Sequence, residues 1–129
     1  MRKAGIFTEN KKYWVAIVSF MRRDGAYIED ILRSAERIVY KIDGLSFEEF
    51  DIDFDLQDII IRRLTIIGEA SNRLSKEFRS RYPILPYAQM RGMRNFIVHE
   101  YDEIDTEIIW KTCQEEIPKL IDLIKEINT

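Results

Sequence analysis

Residues 53–78 read DFDLQDIIIRRLTIIGEASNRLSKEF. Leu56, Ile60, Leu64, Ile67, Leu74 and Phe78 recur at helical spacing, and Ile59, Ile66 and Ala70 widen the stripe. Such a stripe belongs to an amphipathic helix packed on a core. Acids at 51, 53 and 55 suit its start, because a helix N-terminus favours negative charge. Arg62, Arg63, Arg73, Lys76 and Arg79 lie off the stripe. The spacing predicts one helix over 53–78.

The same period recurs on both sides. From Asp24 to Lys41, and on to Ile42, the residues Tyr27, Ile28, Ile31, Leu32, Ala35, Ile38, Val39 and Ile42 repeat every three or four positions. Gly44 is a natural stop. Ser46 and Glu49 have the spacing of a capping box for a short helical turn. Pro86 opens a third expected helix, Pro86 to Glu100, since a proline is tolerated where the N–H has no partner. Gly92 inside it costs about 1 kcal/mol relative to alanine. It admits either close approach of a backbone or ligand, or tight helix packing. Asp105 is the expected N-cap of a fourth helix, Thr106 to Asn128, which Pro118 should kink. No internal repeat, low-complexity segment or second core interrupts the 129 residues. The expected fold is all-α, a bundle of four to five helices with short connections.

Composition narrows the function. One cysteine, Cys113, excludes an intrachain disulfide and suits a reducing compartment. One histidine and one cysteine make a zinc cage within the chain a poor expectation, and no metal or cofactor is implied. No stretch approaches the roughly 20 apolar residues that span a bilayer. KKYWVAIVSF, residues 11–20, is too short in its apolar part for a signal peptide and is followed by Met21, Arg22 and Arg23. A cytoplasmic location is expected.

The net charge of −3 is unevenly distributed. Residues 59–98 hold eight basic and two acidic side chains, and residues 99–129 hold three basic and nine acidic. Pairing of basic with acidic helices is the simpler reading. A basic face could still hold a short run of phosphates, and Arg62, Arg63, Arg73 and Arg91 are its candidate contacts.

RNFIVHEY, residues 94–101, carries the only imidazole, His99. If this stretch is helical, Asn95 and His99 share a face, and the long Arg94 side chain can reach the same point. Histidine exchanges a proton near neutrality. Arginine stays charged and matches phosphate oxygens. With Asn95 and the Tyr101 phenol, the set suits cleavage of an RNA phosphodiester, where the 2′-hydroxyl is the nucleophile and a base suffices without a metal. The alternative is structural: a histidine near a helix C-terminus complements the dipole. One histidine cannot be both base and acid, so a two-fold dimer bringing two copies of Arg94 and His99 into one cleft would complete the chemistry.

These residues also carry a resemblance. The Arg-x4-His-x-Tyr pattern of RNFIVHEY resembles the signature of the HEPN superfamily, in its HepT-like branch. RRDGAYIEDILRSAERI (22–38), GLSFEEF (44–50), QDIIIRRLTIIGEASNRLS (57–75), RYPILPYAQMRGMRNFIVHEY (81–101) and DTEIIWKTCQEEIPKL (105–120) resemble successive parts of that branch. The resemblance covers residues 21–129 and implies a helical bundle that forms a homodimer. It implies a metal-independent endoribonuclease acting as the toxin of a type VII toxin–antitoxin pair. The antitoxin would be a nucleotidyltransferase-like protein of the MntA type. Carried over residue by residue, Arg94 and His99 are the catalytic pair, Asn95 supports them, and Tyr101 accepts AMP from the antitoxin. Glu69, in the IGEA block, either orients a catalytic group or pairs with Arg73. Residues 1–20 fall outside the resemblance and read as an N-terminal extension, either an added helix or the product of an upstream start. Glu100, with Asp102 and Glu103, places acids beside the motif. They motivate the alternative of a non-catalytic binding subunit that pairs with a nucleotidyltransferase.

Overall fold

The computed structural model describes residues 23–98 and 103–127. The N-terminal extension, His99 and Tyr101 lie outside the described residues. Helix α1 occupies residues 23–42, and Gly44, at φ 76°, turns the chain after it. The left-handed conformation there favours glycine, which has no Cβ to clash. Helix α2, Phe47–Ile52, begins with the expected capping box: the Ser46 side chain accepts from the Glu49 N–H, and the Glu49 carboxylate accepts from the Ser46 N–H, both at 3.1 Å. Helix α3, Phe54–Arg73, is capped by the Asp53 carboxylate, which accepts from the Leu56 N–H at 3.0 Å.

The expected long helix over 53–78 is divided. Leu74 is extended (ψ 136°), and Ser75 caps a new helix, α4, Lys76–Arg81. The break has a physical source in α1. The Asp24 carboxylate accepts from the Ser75 N–H at 2.9 Å and from its hydroxyl at 2.6 Å, while the same hydroxyl oxygen accepts from the Phe78 N–H at 3.0 Å. A Ser75→Ala variant is expected to lose about 1–2 kcal/mol. Urea unfolding should show a lower midpoint at an unchanged slope.

Helix α5 spans only Tyr87–Gly92, which corrects the expected helix from Pro86 to Glu100. Beyond Gly92 the Met93 N–H bonds to the Met90 carbonyl at 3.2 Å and the Asn95 N–H to the Gly92 carbonyl at 3.0 Å, closing the helix in tight turns. Ile97–Val98 then form strand β1, paired antiparallel with β2, Glu103–Ile104, in the register Ile97↔Ile104 and Val98↔Glu103. Gly92 is a weak helix former, and β-branched Ile97 and Val98 favour extended backbone, so the apolar spacing alone misreads this stretch. Asn95 is therefore not on a helix, which removes the helical setting expected of it; the other member of the expected pair, His99, lies outside the described residues.

Asp105 caps helix α6, Thr106–Lys111, by accepting from the Ile108 N–H at 3.1 Å. The expected kink at Pro118 is absorbed one turn earlier. Residues Thr112–Glu116 are π-helical, the Ile117 N–H reaches back to the Thr112 carbonyl, and α7, Ile117–Ile127, follows. A proline lacks an N–H and crowds the preceding turn; widening that turn accommodates it.

One core joins these helices. Ile31, Ile38, Phe50, Ile60, Leu64, Ile67, Met90, Ile109, Ile117 and Ile124 are fully buried. Phe50 and Phe47 pack against Trp110, at ring separations of 5.3 and 6.2 Å, which fastens α2 to α6. The buried Gln57 amide donates to the carbonyls of Phe50 and Asp51 at 2.9 and 3.1 Å, satisfying the end of α2. The fold is all-α apart from the short strand pair.

Cys113 lies buried in the π-helical segment, and burial pushes its thiol up to about 12 from 9.0. The folded protein therefore holds this proton at a pH where the unfolded thiol releases it. Its contribution to stability is complete below about pH 9 and declines as pH rises toward 12. Thiol alkylation at pH 8 should proceed only as fast as the protein unfolds. Rapid labelling of the native state would contradict this burial.

Candidate functional site

Helix α5 and the turn after it are fixed from both ends. At the start, the Tyr87 hydroxyl donates to the Tyr82 carbonyl at 2.6 Å. Burial raises the Tyr87 pKa, Arg79 opposes the shift and Asp24 adds to it, so the phenol remains a donor at neutral pH. At the other end, Met90 and Met93 are buried. Between them α5 lies against α3 at Gly68. A Cβ built on Gly68 would sit 2.9 Å from the Arg94 nitrogen, 3.0 Å from the Arg94 Cβ and 3.2 Å from the Arg91 carbonyl oxygen. Only a residue without a side chain permits this approach. The close contact that the sequence led us to consider at Gly92 is thus made at Gly68; no described atom lies within 4 Å of a Cβ at Gly92.

The consequence is a well-seated backbone carrying exposed polar side chains. Arg94 and Asn95 are exposed and Arg91 is half-buried. Three residues on from Arg94 the chain enters the strand pair. Val98 and Glu103 face each other across it, and the four residues between them in sequence include His99 and Tyr101.

The other candidate residues fall elsewhere on α3. Arg62, Glu69 and Arg73 lie about 100–140° around the helix from Gly68, on one exposed strip. Glu69 and Arg73 do not form the ion pair considered from the sequence; the ion pair found among the described residues is Arg33–Glu29 at 3.2 Å. Arg63 is half-buried and turned toward α1. Its pKa is lowered, first by burial and then by the neighbouring Arg37 and Arg62 guanidinium groups. The arrangement therefore joins Arg91 and Arg94 in one turn and leaves Arg62, Arg63 and Arg73 on other faces of α3. Sequence reading missed Gly68, although it stands in the quoted IGEA block; a glycine in the apolar stripe was its only signal. Among the described residues, no group of three or more His, Cys, Asp or Glu is placed to hold a metal ion. No helix among them is long and apolar enough to cross a membrane.

A helical bundle whose cationic turn opens an Arg-x4-His-x-Tyr stretch is the arrangement that the resemblance to HEPN proteins implies. Residues 28–127 match the family model described as Ribonuclease HepT-like, and the chain belongs to that family. It is 40% identical over 107 residues to a candidate RNase of Caldanaerobacter subterraneus subsp. tengcongensis, covering 83% of this chain and 96% of that one. It is 36% identical over 95 residues to a candidate RNase of Methanocaldococcus jannaschii, covering 74% and 87% of the two chains. It is 38% identical over 94 residues to a protein of Thermococcus cleftensis named as a probable ribonuclease HepT, covering 73% and 86%. No solved structure matches the chain significantly.

Proposed function

We propose that the protein is a metal-independent endoribonuclease that acts as the toxin of a two-component toxin–antitoxin pair in the cytoplasm. The observation that carries the reading is the exposed Arg94, seated on α3 at Gly68, in a chain of the HepT-like ribonuclease family. In this reading His99 removes the proton of a ribose 2′-hydroxyl. The 2′-oxygen attacks the adjacent phosphorus, and the bond to the 5′-oxygen breaks. Arg94 stabilises the charge that develops on the phosphoryl oxygens, and Asn95 helps to orient the phosphate. The proton for the departing 5′-oxygen comes from the second His99 of a two-fold homodimer, which places two Arg94 and two His99 around one RNA strand. Glu69, Arg62, Arg73 and Arg91 are assigned supporting roles: the first in orienting a catalytic group, the arginines in holding the backbone.

The partner is a nucleotidyltransferase-like antitoxin that transfers AMP to Tyr101. A nucleotidyl group two residues from the imidazole adds negative charge and bulk where RNA must lie. Expression of the chain alone should arrest growth with degradation of cellular RNA, and co-expression of the nucleotidyltransferase should relieve the arrest. Tyr101→Phe should remain toxic in its presence. Silencing of Tyr101→Phe as complete as that of the wild type would remove Tyr101 from the regulation. Absence of any growth effect or RNA cleavage by the wild type would remove the toxin reading.

A further inference from the structure

A second cationic surface lies between α1 and α3. Arg37, Tyr40 and Lys41 from α1 and Ile59 and Arg63 from α3 line a cavity of about 310 Å³. Arg37 and Lys41 are one helical turn apart, as are Ile59 and Arg63, so the two helices present matched edges. Arg62 adds a third guanidinium close enough to act on Arg63. No carboxylate among the described residues pairs with any of these cations within 4.0 Å. Clustered like charges destabilise the fold unless something neutralises them, and they do so without visible structural return. Beside them the Tyr40 side chain is 79% exposed and Ile59 40% exposed, a flat aromatic and an apolar edge open to solvent.

We propose that this groove is a binding site for single-stranded RNA, separate from the Arg94 turn. The assignment rests on the ribonuclease reading for the identity of the polyanion. Arg37, Lys41 and Arg63 hold successive phosphates, and Tyr40 takes an unpaired base on its ring. Exposed aromatics beside a basic track are the recurrent means of gripping single strands. Bases stacked inside a duplex are not available to such a ring. A second copy of the same face is a poor occupant, because a two-fold axis would set arginines against arginines. The site stands apart from the proposed cleavage centre. Arg63 and Ile59 precede Gly68 by five and nine residues, about 8 and 14 Å along α3, and Arg63 projects about 140° away around the helix. RNA held there would be tethered to the enzyme outside the centre that cuts it.

The test is fluorescence anisotropy with a short single-stranded RNA whose riboses are 2′-O-methylated, so that binding is read without cleavage. Arg37→Gln combined with Lys41→Gln should weaken binding by about tenfold or more. It should also reduce the slope of log affinity against log salt by about 1.4, two phosphate contacts at 0.7 each. Tyr40→Ala should weaken binding by about tenfold with the slope unchanged. All three side chains lie on the surface, so melting temperatures should match the wild type. Cleavage of unmodified RNA by the wild type, followed in parallel, reads the ribonuclease proposal separately. Wild-type protein that cleaves RNA while its affinity and salt slope ignore these substitutions overturns the groove alone. Wild-type protein that does not bind the methylated RNA also overturns it. Loss of a protein oligomer in the variants, with RNA affinity unchanged, would assign the face to protein contact instead.

Discussion

Replacing His99 with alanine is expected to lower the rate of RNA cleavage by about 10²–10⁴-fold, the usual worth of a positioned general base or acid. Arg94→Ala should lose about 10²–10³-fold, in the range of removing one preorganised group that stabilises developing negative charge. The two losses need not add, because groups acting on one transition state behave as a unit. Arg94 is exposed and its fixed part is the backbone, so its truncation should leave the melting temperature essentially unchanged. Initial rates on a fluorophore–quencher RNA, measured with thermal melts of the same preparations, separate chemistry from folding. Cleavage by Arg94→Ala at the wild-type rate would end its catalytic assignment.

Gly68→Val should be nearly as damaging, from a position buried beneath the turn and out of reach of RNA. Its side chain must enter space where the Arg94 nitrogen lies 2.9 Å from the first added carbon. That obstacle is backbone and cannot rotate away, so α5 and its turn must move. Overpacking of this kind costs about 1–3 kcal/mol. A displacement near 1 Å in a positioning element can cost about 10²-fold in rate. Gly68→Ala is the informative companion. It gains helix propensity worth about 1 kcal/mol, which offsets part of the strain, so its activity should fall further than its stability. Gly92→Ala should do little, since nothing described stands within 4 Å of the new carbon. Wild-type cleavage by Gly68→Val would show that the seating of this turn is irrelevant to function.

Much of this architecture is legible before any coordinates. The stripes of α1 and α3 specify their buried faces, the Ser46–Glu49 capping box and the Asp105 cap form as expected, and Asp53, one of the acids expected at the start of α3, caps it. Side-chain oxygens reaching backbone N–H groups two or three residues on are local events, so sequence suffices for them. Three features depend on distant partners and are not legible. The break at Leu74 depends on Asp24, far away in the chain. The close approach at Gly68 depends on where α5 docks. The strand pairing of Ile97–Val98 with Glu103–Ile104 depends on two short segments meeting, each too short to show an alternating pattern. For the candidate site, Arg94 and Asn95 are placed but not in the helical geometry expected of them. The charges of Arg62 and Arg63 looked like one basic face in the sequence; their different angles on α3, and the presence of Arg37 beside Arg63, divide it.

In the proposed reaction the RNA's own 2′-hydroxyl attacks the phosphorus with the help of Arg94 and His99, and no metal takes part in the step. Analysis of the product ends, after digestion in the presence of a chelator, tests it most directly. Undiminished cleavage leaving 2′,3′-cyclic phosphate and 5′-hydroxyl termini, lost in His99→Ala, is the expected result. Products bearing 5′-phosphate and 3′-hydroxyl termini, or cleavage abolished by the chelator and restored by a divalent cation, would contradict it.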